Sequence, residues 1–368
     1  MSTTASSRPA SASTEDPRAT ARRKVPPVTL WALLGAVLLA FEIYVVAAWI
    51  SGPYFTSVPT GPDEPPQWMK IVLNTLQVVG PIAMLIVLWN RLASPWIRRR
   101  EITFDGLICI AMFLLSFWDA NSAYFQQWFT YNPYLLNRGS LVYEIPGWMS
   151  YGDPQHQIAW PYLVMPPSYA AALWGLMVLG CWFLSTVRRR FPNVSDPVLV
   201  ACSMAFMAFC DIFVEGFGFI MLGVWSYPGA PSFALFGEDT RWRYPACEMV
   251  VVGVCFGTLT CLRFFRNDKG LSLVERGLER TRGGVLRQAG YRLLALIAAT
   301  QVIMFATYHL PTGLLAVQSH AWPAEVAGTT WMNSGLCGKG TDRACPGPNV
   351  PIPRPSSPHL DPAGNLVR

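Results

Sequence analysis

The sequence predicts an all-α fold: an integral membrane bundle of about seven transmembrane helices, with a cytoplasmic N-terminus and an extracytoplasmic C-terminus. Three observations predict it. Of 368 residues, 52% are hydrophobic and only 14% charged, against about 25% charged in a soluble domain, and the mean hydropathy is +0.30. The apolar residues gather in runs of about 18–25, the length that crosses ~30 Å of hydrocarbon as a helix. Clusters of Arg separate alternate runs.

The runs are 28–50, 70–92, 104–126, 163–187, 198–224, 244–265 and 291–310. Helices are required because open strands leave backbone groups unpaired in lipid, at several kcal/mol each. The first run follows Arg22, Arg23 and Lys24, as a signal peptide would, but it is too long for a cleaved apolar core and reads as a retained helix. The second ends before Arg98, Arg99 and Arg100. Thr103 and Asp105 open the third as cap and dipole partner. The fourth closes on Arg188, Arg189 and Arg190. The sixth leads into a basic loop carrying Arg263, Arg266, Lys269, Arg276, Arg280, Arg282 and Arg287. The remaining connections hold only Arg138 or the pair Arg241 and Arg243. Basic loops stay in the cytoplasm, which fixes the expected orientation in the cell membrane.

The chain divides into a disordered tail over 1–27, a transmembrane domain over 28–310 and a Pro/Gly-rich extracytoplasmic tail over 311–368. Within the domain, segment 127–162 is nearly uncharged and crowded with aromatics, Trp128 and Trp148 among them. Such a segment is expected to fold back as a cap on the outer face. The loop 266–289 has helical spacing at Leu271, Val274, Leu278 and Leu286, which predicts an amphipathic helix on the inner leaflet. Cys337 and Cys345 lie eight apart in the tail; they either close a small disulfide loop or stay free thiols. The other cysteines read as small apolar packing groups.

Composition excludes several functions. Four scattered His cannot supply a membrane di-iron centre. No Lys sits in a late span to carry a retinal Schiff base. There is no phosphate-binding Gly loop and no basic run interleaved with aromatics for nucleic acid. The partners that remain are the lipid bilayer and a lipophilic small molecule.

Ionisable residues inside spans are costly and point to function. They are Glu42, Asp119, Asp211, Glu215 and Glu248, with His309 ending the last run. By helical rise, Glu42 and Glu215 lie about 12–13 Å below the outer ends of their helices, Glu248 about 6 Å and Asp211 about 20 Å. They cluster in or near the outer half of the membrane, which predicts one polar chamber roofed by 127–162. Asp211 and Glu215, four apart, share a helix face, so one keeps its proton and can act as an acid. They are the expected catalytic pair, with Asp119 orienting the substrate. Glu42, Glu248, Tyr124, Trp128, Asn132 and Trp148 are the expected substrate-binding residues. The structural alternatives are an interhelical hydrogen-bonded pair for Asp211 and Glu215, snorkelling to the interface for Glu248, a plain structural role for Asp119 and Glu42, and an interface position for His156 and His309. A diphosphate-binding prenyltransferase would need a second acidic motif, and none is present.

The stretches FEIYVVAAWISGPYF, PPQWMK, FWDANSAYFQQWFTYNPYLLNRGSLVYEIPGW, PYLVMPPSY and EGFGFIMLGVWSYPG resemble the AveC-type spirocyclase family over residues 30–310. The most specific piece runs from Trp118 through Tyr124, Phe129, Asn132, Asn137, Gly139 and Ser140 to Pro146, Gly147 and Trp148. The resemblance implies spiroketal formation from a dihydroxy-ketone with loss of water, through an oxocarbenium ion. It implies no metal and no cofactor, and it assigns no catalytic residue. An acid to protonate the leaving hydroxyl and a carboxylate beside the cation suffice, as in glycoside hydrolysis. Aromatic faces add to cation stabilisation. A terpene-type membrane cyclase remains open. So does a proton-coupled transporter or ligand-binding protein, although no paired repeats are evident.

Overall fold

The computed structural model describes residues 25–123, 128–148, 152–316, 319–348, 350 and 358–367. The expected disordered tail lies outside this range except for its last three residues. Seven long helices follow one another: α1 (Pro27–Ser51), α2 (Gln67–Arg99), α3 (Phe104–Asp119), α4 (Met165–Arg190), α5 (Asp196–Ile220), α6 (Ala246–Phe264) and α7 (Val285–Leu315). All but α3 are long and apolar enough to cross a membrane, which makes this a multi-pass membrane architecture.

The run 104–126 therefore yields a shorter helix than its hydropathy suggests. Thr103 caps it by accepting the Gly106 N–H at 3.0 Å. It stops after 16 residues, about 24 Å. A 3-10 turn over Ala120–Ala123 follows, and the Asn121 side chain donates back to the Phe117 carbonyl at 3.1 Å. Despite its length α3 is central. Ile108, Cys109, Ala111, Met112 and Leu115 have no exposed surface.

Close backbone approach holds the other helices. The buried face of α1 runs through Val28, Ala32, Gly35, Glu42, Val45 and Trp49, a helical stripe pressed on α7. Gly35 is needed there because a Cβ would overlap the Leu294 carbonyl oxygen. Between α5 and α6, a Cβ on Gly257 would lie 2.6 Å from the Met204 Cα, and the Ser203 hydroxyl donates to the Gly257 carbonyl at 2.9 Å. Helix α2 is the outermost, with only 6% of its apolar window buried, against 56% for α6 and α7.

Among the described residues, the basic clusters at 98–100, 188–190 and 263–287 fall at one end of the bundle; Arg22, Arg23 and Lys24 lie outside the described residues. There Arg263 grips Asp105 through two hydrogen bonds of 2.9 Å, and Arg292 donates to the fully buried Glu275 at 2.6 Å. The loop 266–289 does not form the expected amphipathic helix. It makes two 3-10 turns, Leu273–Glu275 and Leu278–Arg280. Gly270, Gly277 and Gly283 adopt positive φ, which a helix cannot accommodate. Leu271, Val274 and Leu278 are buried under the bundle.

The opposite end is covered. A two-stranded pairing of β1 (Thr130–Tyr131) with β2 (Trp225–Ser226) places Tyr131 beside Trp225. A second joins β3 (Ala234–Phe236) to β4 (Tyr244–Pro245). Arg243, buried beneath, donates to the Ala230 and Ser232 carbonyls at 2.7 and 2.6 Å and to Glu238 at 3.1 Å. Trp128, Phe129, Tyr131, Tyr143, Trp148 and Trp160 are all buried.

The C-terminal segment is part of this cover. Trp331, Met332, Asn333 and Ser334 are buried, and Ser334 donates to the Tyr131 carbonyl at 2.8 Å. Cys337 and Cys345 are joined by a disulfide. Lys339 donates to Asp63 at 2.8 and 2.9 Å, and Asp63 also accepts the Thr330 N–H at 3.0 Å. The Lys339 ammonium and the Thr330 N–H hold the Asp63 carboxyl below the usual carboxylate range. A lowered folded value means the tether is complete above that range and is lost as pH falls through the lowered value. The protection of 324–340 against hydrogen exchange, taken relative to the intrinsic rate that itself falls with pH, should therefore drop on acidification to about pH 3. Asp63→Asn should remove the pH dependence; an unchanged profile in that variant would place the sensitivity elsewhere.

Candidate functional site

The helices lose regular α geometry where the buried acids and tyrosines lie. Asp119 is the last residue of α3. Asp211 is the last regular residue of α5 before a π-helical stretch, Ile212–Ile220, that carries Glu215. Tyr169 lies in the π stretch Ser168–Leu173 of α4, and Tyr308 in the π stretch Phe305–His309 of α7. Glu248 is in the first turn of α6. Wide turns of this kind recur at functional positions because they re-aim side chains out of the regular register.

These side chains enclose one cavity of about 70 Å³ between α3, α4, α5, α6 and α7, beneath Phe129, Tyr131, Trp225 and Tyr227 of the cover. Four carboxyls line it, Asp119, Asp211, Glu215 and Glu248, and among the described residues no Lys, Arg or His does. Each acid is met by tyrosine. Tyr131 and Tyr169 both donate to Asp119, the latter at 3.1 Å. Tyr244 donates to Asp211, Tyr227 to Glu215 at 3.0 Å, and Tyr308 to Glu248 at 2.6 Å. The second oxygen of Glu248 is buried without a hydrogen-bond partner among the described residues. Glu215 lies within electrostatic range of Asp211, Glu248 and Asp119. Burying a carboxyl without a cation costs several kcal/mol, while one hydrogen bond to a charged group returns about 1.5–3 kcal/mol. The remainder is supported by the packing of the bundle, as expected of a working site.

The structure thus brings together Asp119, Asp211, Glu215 and Glu248. Glu42, Trp128, Asn132 and Trp148 do not line the cavity. Glu42 is buried against α7, where Gln301 donates to it. Trp128 packs behind the wall on Tyr227, ring centroids 5.8 Å apart. Asn132 braces a turn, donating to the Gly223 carbonyl at 2.9 Å and accepting the Tyr134 N–H at 3.0 Å. Trp148 meets Tyr143 edge-on at 4.4 Å. Tyr124 lies outside the described residues. Glu144, on the cover near Gly52, is away from the cavity, and burial raises its carboxyl.

The tyrosines are what sequence reasoning missed. Tyr169 and Tyr308 sit in apolar runs, and a phenol in hydrocarbon needs a partner for its hydroxyl. That signal was available; its pairing with particular acids was not. Among the described residues, no three of His, Cys, Asp and Glu converge closely enough to share a metal ion.

The described residues thus form a multi-pass helical bundle with a covered, acid-lined cavity. The chain belongs to the AveC-like spirocyclase family: the family described as "Spirocyclase AveC-like" matches residues 98–331, a span that includes all four cavity acids. No curated protein and no solved structure matches the chain.

Proposed function

We propose that the chain is a membrane-embedded cyclase that closes a spiroketal from a lipophilic, polyketide-like dihydroxy-ketone by carboxyl acid/base catalysis. The observation that carries this reading is the cavity itself, with four acids, their tyrosine donors and, among the described residues, no cation. Four carboxyls so placed cannot all be ionised in a low-dielectric setting, so protons stay among them. Asp211 and Glu215 share one. Glu215, with Tyr227 on its other side, delivers it to the ketone oxygen. One substrate hydroxyl then adds to the carbonyl carbon to give a hemiketal, and its proton passes to the ionised partner. Reprotonation of the hemiketal hydroxyl releases it as water and leaves an oxocarbenium ion. The ionised carboxylate and the faces of Phe129, Trp225 and Phe256 stabilise that cation. The second hydroxyl closes the other ring and returns a proton to the pair. Asp119, held by Tyr131 and Tyr169, and the free oxygen of Glu248 orient the two hydroxyls.

The test is turnover of a synthetic lipophilic dihydroxy-ketone by the protein in liposomes, read by chiral chromatography. A single spiroketal stereoisomer, formed faster than in protein-free liposomes, is expected. Uncatalysed product ratios at the background rate would reject the reading.

The same reading places the Arg-rich end in the cytoplasm of the cell membrane and the covered cavity outside, with α3 completing the seventh crossing between them. Reporter fusions after Arg100 and Arg190 should report cytoplasm, and fusions after Thr60, Pro154 and Cys345 the exterior. A cytoplasmic signal after Cys345 would contradict this arrangement.

A further inference from the structure

We propose that substrate passes between the bilayer and the cavity sideways, through a seam between the cap-end halves of α4 and α5, with Ala172 and Val214 as its two rims. The inference rests on the reading that the substrate is lipophilic.

Three observations locate the seam. The lining residues on α6 and α7 and in the cover, such as Val252, Phe256, Met304, Tyr308 and Trp225, are buried. On α4 and α5, Met165, Tyr169, Met207 and Asp211 are buried too, but part of the lining reaches the surface: Ala172 is exposed, and Leu173, Leu176, Val214 and Glu215 are half-buried. The two helices do meet, but towards the other end. Phe183 stacks on Phe206 with centroids 4.3 Å apart, and Gly180 lets Met207 approach. Beyond that contact they part, and their π-helical stretches flank the gap. Ala172 and Val214 each lie about 10 Å below the cap-end terminus of their helix, at hydrocarbon depth rather than at the water interface.

A sideways route also fits the cavity volume. About 70 Å³ holds a few waters, so walls must part to admit a guest. The walls with most freedom are those packed against lipid. The cover residues over the cavity are held: Tyr131 is tied to Ser334 and paired with Trp225.

The test reads access and needs no turnover, so it stands apart from the cyclase reading. Dicyclohexylcarbodiimide is apolar and partitions into lipid; a carboxylic acid O–H adds across its C=N bond, and the adduct is found by peptide mass spectrometry. In proteoliposomes it should label Glu215, and a cationic water-soluble carbodiimide should not. Ala172→Trp and Val214→Trp, on opposite rims, should each slow the labelling by about tenfold. Leu179→Trp adds the same bulk on the lipid face of α4, where Leu179 is 42% exposed, and should label at the parent rate. Should a Trp variant misfold, Ala172→Phe and Val214→Phe make the same comparison. Three results overturn the proposal: no labelling of Glu215 by the apolar reagent, equal labelling by the water-soluble one, or parent rates in the rim variants.

Discussion

Asp211→Asn and Glu215→Gln should fold as the parent chain does and lose turnover, each by about 10²–10⁴-fold. The amides keep the size and hydrogen-bonding capacity of the acids, so Tyr244 and Tyr227 retain acceptors at these positions. What disappears is the transferable proton and the charge that faces the cation. Because the two act as a unit, the double variant should lose little more than the worse single one. Tyr227→Phe leaves both acids in place and removes only a donor 3.0 Å from Glu215, so it should cost less than either amide. Spiroketals also form slowly in acid, so stereochemistry must be scored with rate. Parent rate and parent stereochemistry in both amide variants would make the pair structural.

The largest effect on stability should come from Gly35. A side chain there would collide with the Leu294 carbonyl oxygen, an atom of the α7 backbone that cannot rotate away. Overpacking a core costs about 1–3 kcal/mol, and more where backbone must move. Gly35→Val forces α1 from α7 along the stripe that includes Glu42 and its donor Gln301, exposing a buried carboxyl as well. The expected outcome is a sharp fall in the yield of folded protein and in its melting temperature. Gly175→Ala, where a Cβ meets nothing within 4 Å, should be close to neutral. Comparable stability for the two variants would contradict the close packing of α1 on α7.

What the sequence disclosed follows from what lipid demands. Apolar runs and Arg clusters mark the six membrane-length helices and the basic end, because hydropathy and charge act locally along the chain. The end of α3 falls short of the run read over 104–126: the helix stops at Asp119, where the cavity begins, and the polar Asn121 opens the turn that follows. The basic loop misled in the same way, since leucine spacing over 271–286 looks helical and only the positive φ of Gly270 and Gly277 forbids it. Of the acids, Asp119, Asp211, Glu215 and Glu248 were legible because a buried carboxyl is conspicuous in an apolar run. Glu42 is equally conspicuous and faces Gln301 instead. Which face of a helix looks into a cavity is set by packing between helices, and one sequence does not encode that visibly. The tyrosine donors were hidden for the same reason: Tyr131 and Tyr227 reach their acids only because β1 pairs with β2 across the cover.

The fate of the ketone oxygen tests the central claim most directly. A lipophilic dihydroxy-ketone labelled with ¹⁸O at the carbonyl is supplied to the parent protein and to Glu215→Gln in liposomes. The account predicts that the parent releases the label as water and leaves a single spiroketal stereoisomer that lacks it, while Glu215→Gln returns mostly unchanged ketone. Label retained in a ring, or release at the same rate with and without the Glu215 carboxyl, would contradict it.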